Sequence, residues 1–98
     1  MANNATATLS ADAQVCGPLS AVNDQRVSFH IVITGTITVS VQRRINGGTF
    51  VTITKPDGAT AASYTASASF VADAPGDYQL IASGTSGGSA VCNMLVHR

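Results

Sequence analysis

The sequence predicts an all-β fold, a sandwich or small barrel of short strands, on three observations. Apolar residues alternate with Ser and Thr along most of the chain, a period of two that turns one strand face inward. Turn residues punctuate those runs at short intervals, as in sandwiches and barrels. No stretch carries a capped amphipathic stripe of helical period; Ala is abundant but alternates with Ser and Thr.

The elements follow in chain order. Ala5, Ala7 and Leu9 alternate with Thr6, Thr8 and Ser10, which predicts a first strand after a mobile start at residues 1–4. Gly17-Pro18 interrupts the next stretch, and Val22 to Arg26 reads as a loop containing Asn23-Asp24. Val27, Phe29, Ile31 and Ile33 then form an inward face. Gly35 breaks that run, and Ile37, Val39 and Val41 resume it. Asn46-Gly47-Gly48 is a hairpin signal, because these residues accept positive φ. Thr49 to Thr54 is the expected return strand, and Lys55-Pro56-Asp57-Gly58 the next turn. Ser63 to Phe70 reads as one strand with Tyr64, Ala66, Ala68 and Phe70 inward. After the corner Ala74-Pro75-Gly76, Tyr78, Leu80 and Ala82 share a face. Gly84 to Gly88 reads as a Gly/Ser loop, and Ala90, Cys92, Met94 and Val96 as the inner face of a last strand.

Composition narrows the function classes. At 98 residues the chain is sized for a single domain, residues 1–98. Charged residues make up 10%, Glu is absent and Lys55 is the sole lysine, which excludes a charged disordered tail. The formal net charge of 0 excludes a general nucleic-acid binder, which needs cations to displace phosphate counterions. No run reaches the ~18–20 apolar residues that span a bilayer. The start at Met1, with no basic and apolar leader, is expected of a cytoplasmic translation product without a secretion signal.

Cys16 and Cys92 stand near opposite ends of the sequence. Two readings stay open: a pair of buried thiols, or one disulfide closing a very long loop. Two cysteines without clustered histidines make a poor zinc set. Asp24, Asp57, Asp73 and Asp77 sit in or beside turns, where Asp bonds local backbone. Calcium at Asp73 and Asp77 would be short of ligands. His30 and His97 read as ordinary surface groups, and no serine sits in a nucleophile-elbow context. The chain is expected to be no enzyme and to carry no cofactor or metal. Arg43 and Arg44 are adjacent, so a strand sends them to opposite faces. They serve either solubility at the hairpin or contact with another subunit, where Arg is enriched. Phe50 is out of phase with Val51 and Ile53 and is the candidate interface anchor.

Asp73-Ala74-Pro75-Gly76-Asp77-Tyr78-Gln79-Leu80 resembles the tyrosine corner of immunoglobulin-like domains, where a Tyr hydroxyl bonds backbone a few residues upstream. That resemblance implies an immunoglobulin-like antiparallel β-sandwich of about seven strands. Leu80 stands where antibody domains have a cysteine, and there is no Trp, so the antibody core itself is absent. The alternative for Tyr78 is a strand aromatic with its hydroxyl at the rim.

Gly35-Thr36-Ile37-Thr38-Val39-Ser40-Val41-Gln42-Arg43-Arg44, the hairpin Ile45-Asn46-Gly47-Gly48-Thr49 and Phe50-Val51 together resemble small structural proteins of tailed bacteriophages. Phe70, Pro75-Gly76, Tyr78-Gln79-Leu80 and Ser86-Gly87-Gly88 extend the resemblance across residues 26–98. The resemblance implies a non-enzymatic virion protein, above all a capsid decoration (cement) protein. Such a protein is synthesised in the host cytoplasm and sits on the capsid surface. It binds the major capsid protein of the same virus, often as a homo-trimer, with no nucleic acid or membrane as partner. Alternatives are a head-fibre, tail or neck component, or an immunoglobulin-like adhesion or carbohydrate-binding module.

Overall fold

Two long strands organise the chain. In the computed structural model, which describes residues 4–22, 24–55 and 60–97, the strands are β1 (Asn4–Leu9), β2 (Val15–Ala21), β3 (Arg26–Arg44), β4 (Val51–Thr52), β5 (Ser63–Tyr64), β6 (Ala68–Ala72) and β7 (Gly76–His97). The expectations for residues 1–3, Asn23 and Pro56-Asp57-Gly58 lie outside the described residues. All pairing is antiparallel and joins the seven strands into one sheet. β3 and β7 pair from Arg26 opposite His97 to Arg44 opposite Asp77.

Laid straight, the 19 residues of β3 would run to roughly 60 Å at a strand's rise. The longest dimension of the molecule is 38 Å, so the β3–β7 ribbon bends. The bend lies where the register shifts, around Thr34, Thr36 and Thr38 on β3 and Ser83 to Ser89 on β7. Gly35, Gly84 and Gly87 have φ of 76°, 56° and 73° there. Gly88 is needed for a different reason: a Cβ on it would lie 2.4 Å from the carbonyl oxygen of Thr36.

The bend doubles the sheet over on itself. One layer holds β1, β6 and the bend-to-end halves of β3 and β7 that pair Arg26–Thr34 with Ser89–His97. The other holds β2, β4, β5 and the halves that pair Thr38–Arg44 with Asp77–Ser83. The rings of Phe29 and Tyr78 meet edge-on at 5.6 Å, although Tyr78 pairs with Arg43 at the far end of β3. Only a folded-over ribbon brings them together. Phe70 stacks on Phe29 at 4.8 Å and tilts against Tyr64 at 5.6 Å, joining β6 to β5 along one side. On the other side the β1–β2 turn is held by the Gln14 side-chain oxygen, which accepts from the amides of Ser10 and Ala11.

The alternation fixes the core. Val27, Phe29, Ile31, Ile37, Val39 and Val41 are buried from β3, and Tyr78, Leu80, Ala82, Ala90, Cys92, Met94 and Val96 from β7. These are the inward faces the sequence predicts. Asn46 and Gly47 take φ of 55° and 72°, and the Gly48 amide bonds the Ile45 carbonyl at 3.1 Å, so the expected hairpin forms.

Four readings need correction. The Gly84–Gly88 segment is no loop: the ladder continues through it, because positive φ bends a strand without ending its pairing, whereas Gly35 marks the bend or bulge that its break in the pattern suggests. Val15 to Ala21 is a strand, carried past Gly17-Pro18 by a register shift between Cys16 and Leu19. The return strand after the hairpin is only Val51–Thr52, followed by a bridge between Thr54 and Ala61. Ser63 to Phe70 divides into β5 and β6, and Ala66 between them is exposed.

Candidate functional site

Away from the bend, the ends of β2, β3 and β4 and the corner before β7 converge. The corner is built by two side chains. The Tyr78 hydroxyl donates to the Ala74 carbonyl at 2.7 Å, the tyrosine-corner bond the sequence suggests. Burial raises its phenol above the ordinary value. Arg43 reaches inward to the same corner, where its Nε donates to the Pro75 carbonyl at 2.8 Å and its Nη2 donates to that oxygen too. Gly76, with φ of 138°, leaves room for this arrangement: a Cβ would meet the Arg44 carbonyl at 2.9 Å.

Arg44 points to the opposite face, as adjacent strand residues must. Its Nε donates to Asp77 Oδ2 at 2.9 Å, and its guanidinium lies 4.5 Å over the centre of the Phe50 ring. Asp77 Oδ1 accepts from the Ser20 hydroxyl at 2.6 Å. The Ser20 hydroxyl, then Arg44, hold the Asp77 carboxyl below its ordinary value. Both arginines are therefore committed within the chain, one to backbone and one to a carboxylate and a ring.

That geometry revises the expected anchor. Phe50 is half-buried under Arg44 and does not stand bare. Val15, Val32, Val71, Val91 and Leu95 are exposed elsewhere, and at this end Val22, Ile45 and Val51 are exposed by 61%, 55% and 64%. The latter are the highest exposures among the large apolar side chains described. Ile45 joins them: it lines a groove of about 520 Å³ with Val22 and Pro75, and one of about 360 Å³ with Val51 and Ile53. Sequence reasoning missed this trio. Alternation would turn Ile45 inward with Val39 and Val41, and it stands bare because β3 stops at Arg44.

The remaining candidates are scattered. His30 is exposed on the outer face of the first layer, and His97 Nε2 lies 2.6 Å from the Ser28 hydroxyl. Asp12 accepts from the Thr85 amide at 2.9 Å, which lowers its carboxyl pKa. Asp73 meets Arg26 in an exposed ion pair at 3.4 Å. Among the described residues no three His, Cys, Asp or Glu side chains gather as a metal set. No helix among them is long and apolar enough to cross a membrane. Cys16 and Cys92 are free, buried thiols, so the first of the two open readings holds. The Cys16 Sγ lies 3.8 Å from the Cys92 carbonyl oxygen. Burial raises both thiols, Cys92 to about 12.

Comparison with protein-family models, curated proteins and solved structures finds no match to this chain. The site's chemistry is thus read from its own atoms. It offers apolar contact beside a corner where Arg44 is neutralised by Asp77 and Arg43 is held by the Pro75 carbonyl.

Proposed function

We propose that this chain is a non-enzymatic structural protein that decorates the outside of an assembled viral shell, docking the major capsid protein of the same virus through its hairpin end. The observation that carries the docking surface is the cluster of Val22, Ile45 and Val51, bare beside two arginines already held within the chain, Arg43 by the Pro75 carbonyl and Arg44 by Asp77. An apolar patch rimmed by polar groups favours burial against another protein. The viral context is supported by the resemblance of residues 26–98 to small phage structural proteins. The mechanism is mass action: a protein that binds only the assembled shell raises that shell's apparent stability. Trimerisation on the shell would supply several weak contacts at once.

The test is co-sedimentation of the purified protein with shells that lack it, followed by heating. Binding at a copy number comparable to the main shell protein, with slower heat rupture, is the expected result. A far lower copy number in purified particles moves the assignment to a tail, neck or fibre. No binding and equal survival overturn it.

A further inference from the structure

The two cysteines stand in opposite layers. Cys16 pairs with Leu80 on β2, and Cys92 pairs with Ile31 and Ala7 on β7. Both side chains point into the space between the layers, 1% and 0% exposed. The Cys16 sulfur approaches the Cys92 carbonyl oxygen at 3.8 Å. A carbonyl oxygen sits about 2.4 Å from its own Cα by covalent geometry. The Cys16 sulfur is therefore within roughly 6 Å of the Cys92 Cα, so the two thiols share one part of the space between the layers.

We propose that Cys16 and Cys92 are a latent disulfide that clasps the two layers when the chain meets an oxidising medium. The oxidant is a low-molecular-weight disulfide such as oxidised glutathione. One protein thiolate attacks it, forming a mixed disulfide and releasing one thiolate. The second protein thiolate then attacks the protein sulfur of that mixed disulfide and releases the other. Two protein thiols lose two protons and two electrons, and one small disulfide becomes two thiols.

The fold assigns the order. β2 pairs on one side only, with β7, and its ladder is interrupted between Cys16 and Leu19. Local opening of such an edge strand needs no rupture of the β3–β7 ribbon. Cys92 lies between β1 and β3 and stays covered. Cys16 is thus the thiol that takes the mixed disulfide, and Cys92 the one that resolves it. The bond would tie the interrupted edge strand to the centre of the other layer, closing a span of 76 residues.

The proposal does not rest on the docking reading and fails or stands separately from it. The test treats the reduced full-length chain with oxidised glutathione, both natively and during refolding from urea, where burial sets no barrier. Samples are then denatured, alkylated and weighed intact. The expected product is a monomer lighter by about 2 Da with no alkylation, a Cys16–Cys92 peptide on digestion, and a Tm raised by ~10 °C or more. Cys92→Ser should instead accumulate a stable glutathione adduct on Cys16. Should that variant not fold, the wild-type peptide map decides alone. Two alkylated thiols after oxidative refolding, unresolved adducts on the wild type, or disulfide-linked dimers would each overturn the proposal.

Discussion

The bend and the hairpin end are the two places where the β3–β7 ribbon changes direction or stops, and they solve opposite problems. At the bend the backbones crowd: Gly88 admits no Cβ beside Thr36, and one on Gly35 would lie 2.9 Å from the Gly88 Cα. The side chains around it are small and polar, Thr34, Thr36, Ser83 and Ser86 among them. At the tip of the hairpin the backbone is roomy, with nothing within 4 Å of a Cβ on Gly47, although Gly76 in the adjoining corner is as crowded as Gly35. There the side chains carry the chemistry: two arginines, an aspartate, a phenylalanine and three bare aliphatics. One region holds the shape and presents little to a partner. The other tolerates change at its Gly47 tip and presents a surface. Rigidity and recognition are thus placed apart along the same two strands.

The largest effect should come from Gly88→Ala. Its Cβ would collide with backbone, which cannot move aside as a side chain can, so a loss of about 3 kcal/mol or more is expected in urea titration. Gly47→Ala, which faces only the strain of a positive φ, should cost about 1 kcal/mol. Equal losses for the two would erase the contrast between the regions. Between them falls Tyr78→Phe, which keeps the ring but frees the Ala74 carbonyl. The expected loss is about 1–1.5 kcal/mol, again by urea titration.

Much of this was legible before any coordinates. The inward faces of β3 and β7 follow from alternation alone, since each residue's side is set by its parity. The Tyr78 corner was legible because its bond spans only four residues and is written in local sequence. Contacts made across the fold were not. Phe50 looks like a bare anchor until Arg44 is seen lying over its ring. Gly84 to Gly88 read as a loop because a sequence shows that glycines break a pattern, not that the partner strand bends alongside them at Gly35. β2 was hidden for the same reason, since β7 keeps pairing on either side of Gly17-Pro18.

Smaller effects sharpen the hairpin end. The folded-state pKa of Asp77 is lowered, so its contribution to stability is full above the ordinary carboxylate value of 3.8. It fades as pH falls below that towards the depressed value. Asp77→Asn should flatten this acid limb in a pH series of melting curves while leaving the neutral part of the curve nearly parallel. Smallest for stability is Ile45→Asp, expected within about 0.5 kcal/mol because the side chain is exposed. The same substitution should abolish co-sedimentation with shells. Unchanged binding would place docking elsewhere on the molecule.

The doubled ribbon also sets a timetable for synthesis. β3 carries the richest run of β-branched residues, Ile31 to Val41, and its long partner is β7, the last strand described. Some fifty residues separate Arg26 from Gly76, where β7 begins, and a ribosome adds roughly 5–20 residues per second. For several seconds, then, each nascent chain holds a strand whose β7-facing edge is unmatched. Neighbouring nascent chains carry the same strand, and pairing between them competes with the wait for β7. Production of this protein should therefore improve when translation is sparse, for instance at low temperature or from a weak promoter.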